Sequence, residues 1–99
     1  MKRITSKQRA YLKSLAQTME PIFQVGKSGV TPELTKSIDE ALEARELIKI
    51  SVLSNCMTSP AEVADTLSGR TKSIPVQVIG RKIVLYRTSK KQPKINLPE

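Results

Sequence analysis

A chain of 99 residues makes one small domain, with little room for a deep enclosed active site. It contains no histidine and one cysteine, Cys56, which excludes a histidine-based acid–base relay, a Cys/His zinc site and an intrachain disulfide. Lysine and arginine number 17 against 9 acids, a net charge of +8 that suits a polyanionic partner, and only Tyr11, Phe23 and Tyr86 are aromatic, so aliphatic side chains must fill the interior.

Thr5 followed by Gln8 makes a capping box, and Leu12, Leu15, Ala16 and Met19 recur at helical spacing, which predicts a helix over 6–18. Lys7, Arg9 and Lys13 fall off that apolar stripe and are expected in water, where they can face a phosphate backbone. Pro21 ends the helix, and residues 22–25 form a short strand closed by Gly26. Thr31 is a suitable N-cap, with Pro32 at the first helical position; Leu34, Ile38, Ala41 and Leu42 give a buried stripe, and Asp39, Glu40 and Glu43 lie on the other side, expected to point into solvent.

Ile48, Ile50 and Val52 alternate with Lys49 and Ser51, the pattern of a strand buried on one face. Ser59, Pro60 and Glu62 open a third helix that Gly69 is expected to close. Two further strands, 74–79 and 82–87, fold back at Gly80 and Arg81, and the basic tail 88–99, with Pro93 and Pro98, forms no regular element. The order αβαβαββ predicts an α/β (α+β) two-layer sandwich on a mixed four-stranded sheet. The first three strands should be parallel and the last two an antiparallel hairpin, with helices on one face and the other face partly open. Residues 1–87 form the domain and 88–99 the tail. Cys56 reads as a small hydrophobe near a strand end.

The charges are segregated. Residues 1–19 carry Lys2, Arg3, Lys7, Arg9 and Lys13, and residues 66–98 carry Arg70, Lys72, Arg81, Lys82, Arg87, Lys90, Lys91 and Lys94, with no acid in either stretch. Eight acids against four bases occupy Glu20 to Asp65. If the two ends meet in the fold, one face becomes strongly positive.

Gly26-Lys27-Ser28-Gly29 lies between a strand and a helix N-terminus, where backbone amides and the helix dipole favour an anion and missing Cβ atoms permit close approach. A nucleotide-binding P-loop needs a glycine where Pro21 stands. A KH domain also uses a G-x-x-G loop, but holds it between two helices, whereas here a strand precedes it.

Three stretches carry a family resemblance: Val25-Gly26-Lys27-Ser28-Gly29-Val30-Thr31 before an acidic helix, Glu46-Leu47-Ile48-Lys49 entering a strand, and residues 76–87 at the final hairpin. From Thr5 to the closing Ile95-Asn96-Leu97-Pro98 the chain resembles the CRM (chloroplast RNA splicing and ribosome maturation) domain in its bacterial YhbY-like form. The resemblance implies a fold like the C-terminal domain of translation initiation factor three. It also implies non-catalytic RNA binding and association with ribosomal RNA in precursors of the large ribosomal subunit. Carried over by position, the RNA site comprises Gly26, Lys27, Ser28 and Gly29 with Arg81, Lys82 and Arg87 of the hairpin. Ser68 to Ser73 is more polar and basic than the family pattern, which leaves the end of the third helix open and adds Arg70 and Lys72 to the expected RNA surface. Tyr86 can either stack on a base or pack on the sheet.

The expectation is a cytoplasmic monomer that binds RNA, with no cofactor, metal, membrane or small-molecule substrate. Two other readings stay open: a protein-interaction module using the open sheet face or the acidic helix, and a nonspecific DNA-binding protein. An enzyme finds no nucleophile-and-base constellation.

Overall fold

The computed structural model describes residues 3–99, so Lys2 of the basic N-terminal run lies outside the described residues. The elements are α1 (Ser6–Ala16), β1 (Phe23–Val25), α2 (Pro32–Arg45), β2 (Leu47–Val52), α3 (Pro60–Thr71), β3 (Ile74–Ile79) and β4 (Lys82–Tyr86), in the expected order. Each helix begins where a side chain can take an orphan amide. The Thr5, Thr31 and Ser59 hydroxyls accept from Gln8, Leu34 and Glu62, and the Gln8 side chain accepts from the Thr5 amide in return. Such caps are worth about 1 kcal/mol each. Pro32 and Pro60 sit in the first helical turn, where no intrahelical donor is lost.

Two helix ends differ from expectation. α1 stops at Ala16 because its last turn tightens: the Gln17 amide falls back to Ser14 O, and the Met19 amide takes the Ala16 carbonyl at 3.0 Å. Gly69 does not close α3, which continues to Thr71. The left-handed residue is Lys72 (φ 56°), and the Ser73 amide reaches back to Ser68 O at 3.0 Å. The turn folds the polar stretch inward. Ser68, Thr71 and Ser73 are buried, and Thr71 Oγ1 donates to Leu67 O at 2.7 Å while sharing a hydrogen bond with Ser73 Oγ, so the buried hydroxyls of Thr71 and Ser73 are satisfied.

The sheet order is β1-β2-β4-β3, with β1 parallel to β2 and β4 antiparallel to both its neighbours. The first three strands therefore point the same way, as expected, but the crossover through α3 leaves a gap that the returning hairpin strand β4 fills. Pro75 lies on the edge strand beside a register shift between Pro75 and Gln77, where a missing ladder donor does no harm.

Alternation along β2 and β4 sends residues to two cores. Ile48, Ile50, Val52, Ile83 and Leu85 meet α2 and α3 on one face, together with Val25 and Cys56. Leu47, Val84 and Tyr86 face the other way, where Leu12 and Ala16 of α1 cover them, joined by Ile95 and Leu97 from the tail. Contrary to expectation, the helices therefore do not all lie on one face: α1 covers one end of the second face, which is otherwise partly open. Tyr86 is 3% exposed and its hydroxyl pairs with Thr88 Oγ1, so it packs on the sheet and offers no stacking platform.

The acidic side of α2 is also not simply solvated. Glu43 accepts from the Ser89 hydroxyl and the Lys90 and Lys91 amides, and the fully buried Glu46 accepts from the amides of Ser89, Lys94 and Ile95 at 2.6–2.7 Å. The Ser89 hydroxyl and those amides, helped by the Arg87 charge, hold the Glu43 carboxyl down at about 2 against a smaller opposing effect of burial. Burial pushes the Glu46 carboxyl up, but its amide donors and the Lys94 charge together outweigh that and keep it below the ordinary range. The tail carries no regular element, yet it is tied to the body.

Candidate nucleic-acid interface

β1 delivers the chain into the Gly26–Gly29 loop at the end of the sheet where the parallel strands finish. There the Leu53 amide donates to Val25 O and the Val52 amide to Arg81 O, so the glycine loop, the segment after β2 and the Gly80–Arg81 turn share one rim. The N-termini of α2 and α3 open at the same end.

Within the loop the Gly29 amide closes a turn onto Gly26 O at 2.9 Å, with Gly29 at φ 67°, a conformation that favours glycine. Lys27 and Ser28 stand exposed at its tip. Among the described residues the amides of Lys27, Ser28 and Val30 have no protein acceptor. The start of α2 itself is largely satisfied: Thr31 takes the Leu34 amide with its side chain and the Thr35 amide with its carbonyl, and Pro32 has none. An anion here would be held mainly by the loop amides and Lys27.

The other candidate residues divide by location. Lys82 and Arg81 sit at the same rim. The Arg81 guanidinium already donates to Val52 O at 2.8 Å and to Leu53 O, so it braces the exit of β2 and only partly faces outward. Lys13, in the last turn of α1, lines a cleft with Lys49 and Lys82 on the uncovered half of the second sheet face. The two basic ends of the chain do meet there. Lys7 is exposed near the start of α1, whereas Arg9 is half-buried and donates to Pro75 O and Val76 O at 2.8 and 2.7 Å, clamping the helix to the edge strand.

Arg70, Lys72 and Arg87 are not brought to this rim. Arg87 leaves β4 at the opposite end of the sheet, paired with Asp39 and donating to Thr71 O at 2.8 Å; Lys72 caps α3 at that same end. Arg70 lies beside Thr35, Lys36 and Asp39 on the helical layer. Arg87 and Arg9 therefore act as internal struts, a use that a list of basic residues does not distinguish from a free charge.

The CRS1 / YhbY (CRM) domain model matches residues 4–87. The chain belongs to this family. Among its relatives, probable RNA-binding protein YqeI of Bacillus subtilis is 52% identical over 95 residues, covering 96% of this chain and 99% of that protein. A Haemophilus influenzae protein named RNA-binding protein is 35% identical, with 99% and 98% covered. The solution structure of SAV1595 from Staphylococcus aureus, described as a candidate RNA binder, superposes with a TM-score of 0.80 at 51% identity, covering 97% of this chain and all of that one (100%). The fold expected from element order is thus the fold of the family.

In this CRM domain the residue that sequence reasoning passed over is Lys49. It appeared only as the polar member of an alternating strand, although that alternation is itself the signal that it points away from α2 and α3. Glu46 was likewise missed, because nothing local announces a buried carboxylate whose partners lie more than forty residues on. Among the described residues no group of three His, Cys, Asp or Glu side chains could hold a metal, and no helix is long and apolar enough to cross a membrane.

Proposed function

We propose that this CRM domain binds RNA without chemistry, and that its RNA is ribosomal RNA in precursors of the large ribosomal subunit, whose assembly it assists as a cytoplasmic monomer. The observation that carries RNA binding is the exposed Gly26-Lys27-Ser28-Gly29 loop, whose tip amides have no acceptor among the described residues, with Lys82 and Arg81 on the same rim. Amides and lysines hold phosphate without reading a base, which suits recognition by backbone and shape. The names of the relatives support RNA as the polyanion. The ribosomal assignment rests on the family resemblance.

Crosslinking in cells followed by sequencing of the bound RNA tests it. Reads concentrated in large-subunit ribosomal RNA, enriched for unprocessed ends, are expected; reads spread over messenger and transfer RNA in proportion to abundance would contradict the ribosomal assignment.

A further inference from the structure

The uncovered half of the second sheet face has an order that the register makes plain. Across β2, β4 and β3 the row Leu47–Tyr86–Ile74 lies under α1 and the tail. The next row is Lys49–Val84–Gln77, and the one after it Ser51–Lys82–Ile79, continued onto β1 by Gln24 beside Ser51. The last turn of α1 stands over the first of these open rows and closes one side of a cleft of about 420 Å³. Ala16 and Val84, each 1% exposed, close its bottom, and its accessible apolar surface comes from Ile79, 60% exposed, and the aliphatic stems of the surrounding lysines. Around this apolar strip stand Lys13, Lys49 and Lys82, and none of the three forms an ion pair among the described residues. The carboxylates of Asp39 and Glu43 are turned toward Arg87, on the other side of the sheet.

Lysines set around an aliphatic floor, with Gln17 and Gln77 at the margin, form neither a core nor a plain charged face. The floor is apolar where a ligand would lie flat, the rim is cationic where its charge would emerge, and the size falls within the range of small-molecule clefts. Resting on the RNA-binding reading above, we propose that this cleft takes one unstacked nucleotide of single-stranded RNA. Its base lies against Ile79 and the aliphatic stems of Lys49 and Lys82, and its flanking phosphates are held by the ammonium groups of Lys13, Lys49 and Lys82. The Gln17 and Gln77 amides are the groups able to meet base edges. A paired base in an A-form duplex cannot offer its face to such a floor, so the cleft selects single strands or loops. Because Gln24 lies two residues before Gly26, the open rows lead directly to the glycine loop, and one strand of RNA can run from loop to cleft.

The test compares an oligouridine strand with a fully paired RNA duplex of equal length, using the full chain. Lys49→Gln keeps the stem that covers the sheet, and Ile79 is exposed enough for Ile79→Ala to leave the fold intact, which thermal melting checks. Lys49→Gln is expected to weaken oligouridine binding about tenfold, with the log–log salt slope reduced by about 0.7 and duplex binding unchanged. Ile79→Ala is expected to weaken oligouridine binding with no change in slope, since it removes apolar contact only. If both variants bind as the native chain does while Lys27→Glu still weakens RNA, the cleft is overturned and the RNA reading stands. Equal losses for strand and duplex would also overturn it, reducing the lysines to a general basic surface. No binding of either RNA by the native chain overturns both.

Discussion

The buried carboxylate of Glu46, in the link between α2 and β2, accepts the backbone amide of Ile95 at 2.7 Å, forty-nine positions along the chain. With the Ser89 and Lys94 amides on the same side chain, this bond brings Ile95 and Leu97 against α1 and so completes the second core. Glu46→Ala should therefore lower the free energy of unfolding by about 3 kcal/mol, the loss of several hydrogen bonds to one charged acceptor plus the release of the tail. Urea denaturation measures it, and a change under 1 kcal/mol would mean the tail contributes little to the fold.

Acid should release the tail first. The folded-state pKa of Glu43 is depressed to about 2 and that of Glu46 is also lowered, so unfolded chains bind more protons than folded ones between roughly pH 4.5 and 2. The stabilisation from Glu43 is present in full above about 4.5 and is lost as pH falls toward 2, and Glu46, whose carboxyl is also lowered, loses its contribution in the same direction. Protection of the Ser89, Lys90 and Lys94 amides from hydrogen exchange, taken by NMR relative to the intrinsic rate at each pH, should fall across that window; protection retained at pH 2 would show that the carboxylates do not hold the tail.

Much of the fold was legible because local rules and global pattern agree. The Thr5, Thr31 and Ser59 caps and the alternation in 48–52 and 82–86 fixed element type and order. What stayed hidden depends on contacts distant in sequence. Nothing near Gly69 shows that Lys72 takes the left-handed turn, because the gain lies in burying Thr71 and Ser73. Of the candidate site, the loop and Lys82 were visible as motif and charge, whereas Arg9 and Arg87 are diverted to carbonyls and to Asp39 that only the fold brings near.

The two loop glycines should behave differently. Gly29→Ala places a side chain at φ 67° and should cost about 1–2 kcal/mol, since left-handed geometry strains any Cβ. At Gly26 an added Cβ meets Asn55 Oδ1 and Leu53 Cδ1 at 3.4 Å, so Gly26→Ala should cost less than about 1 kcal/mol. Thermal melts of both variants decide it; equal destabilisation would contradict the account of the turn.

Leu12 is fully buried and Leu15 is 36% exposed on the same helix. Leu12→Ala should destabilise by about 2–5 kcal/mol, and Leu15→Ala by less than about 1 kcal/mol. Comparable losses in urea titrations would mean that α1 is seated differently on the sheet.

The salt dependence of RNA affinity for the native chain and for Lys27→Glu tests the central claim most directly. Each phosphate held on a single strand contributes about −0.7 to the slope of log K against log salt. The native chain should show a steep negative slope, and Lys27→Glu should bind more weakly, with the slope shallower by about 0.7 and the melting temperature unchanged. Native affinity that does not respond to salt, or a Lys27→Glu variant with the native affinity and slope, would contradict phosphate capture by the loop.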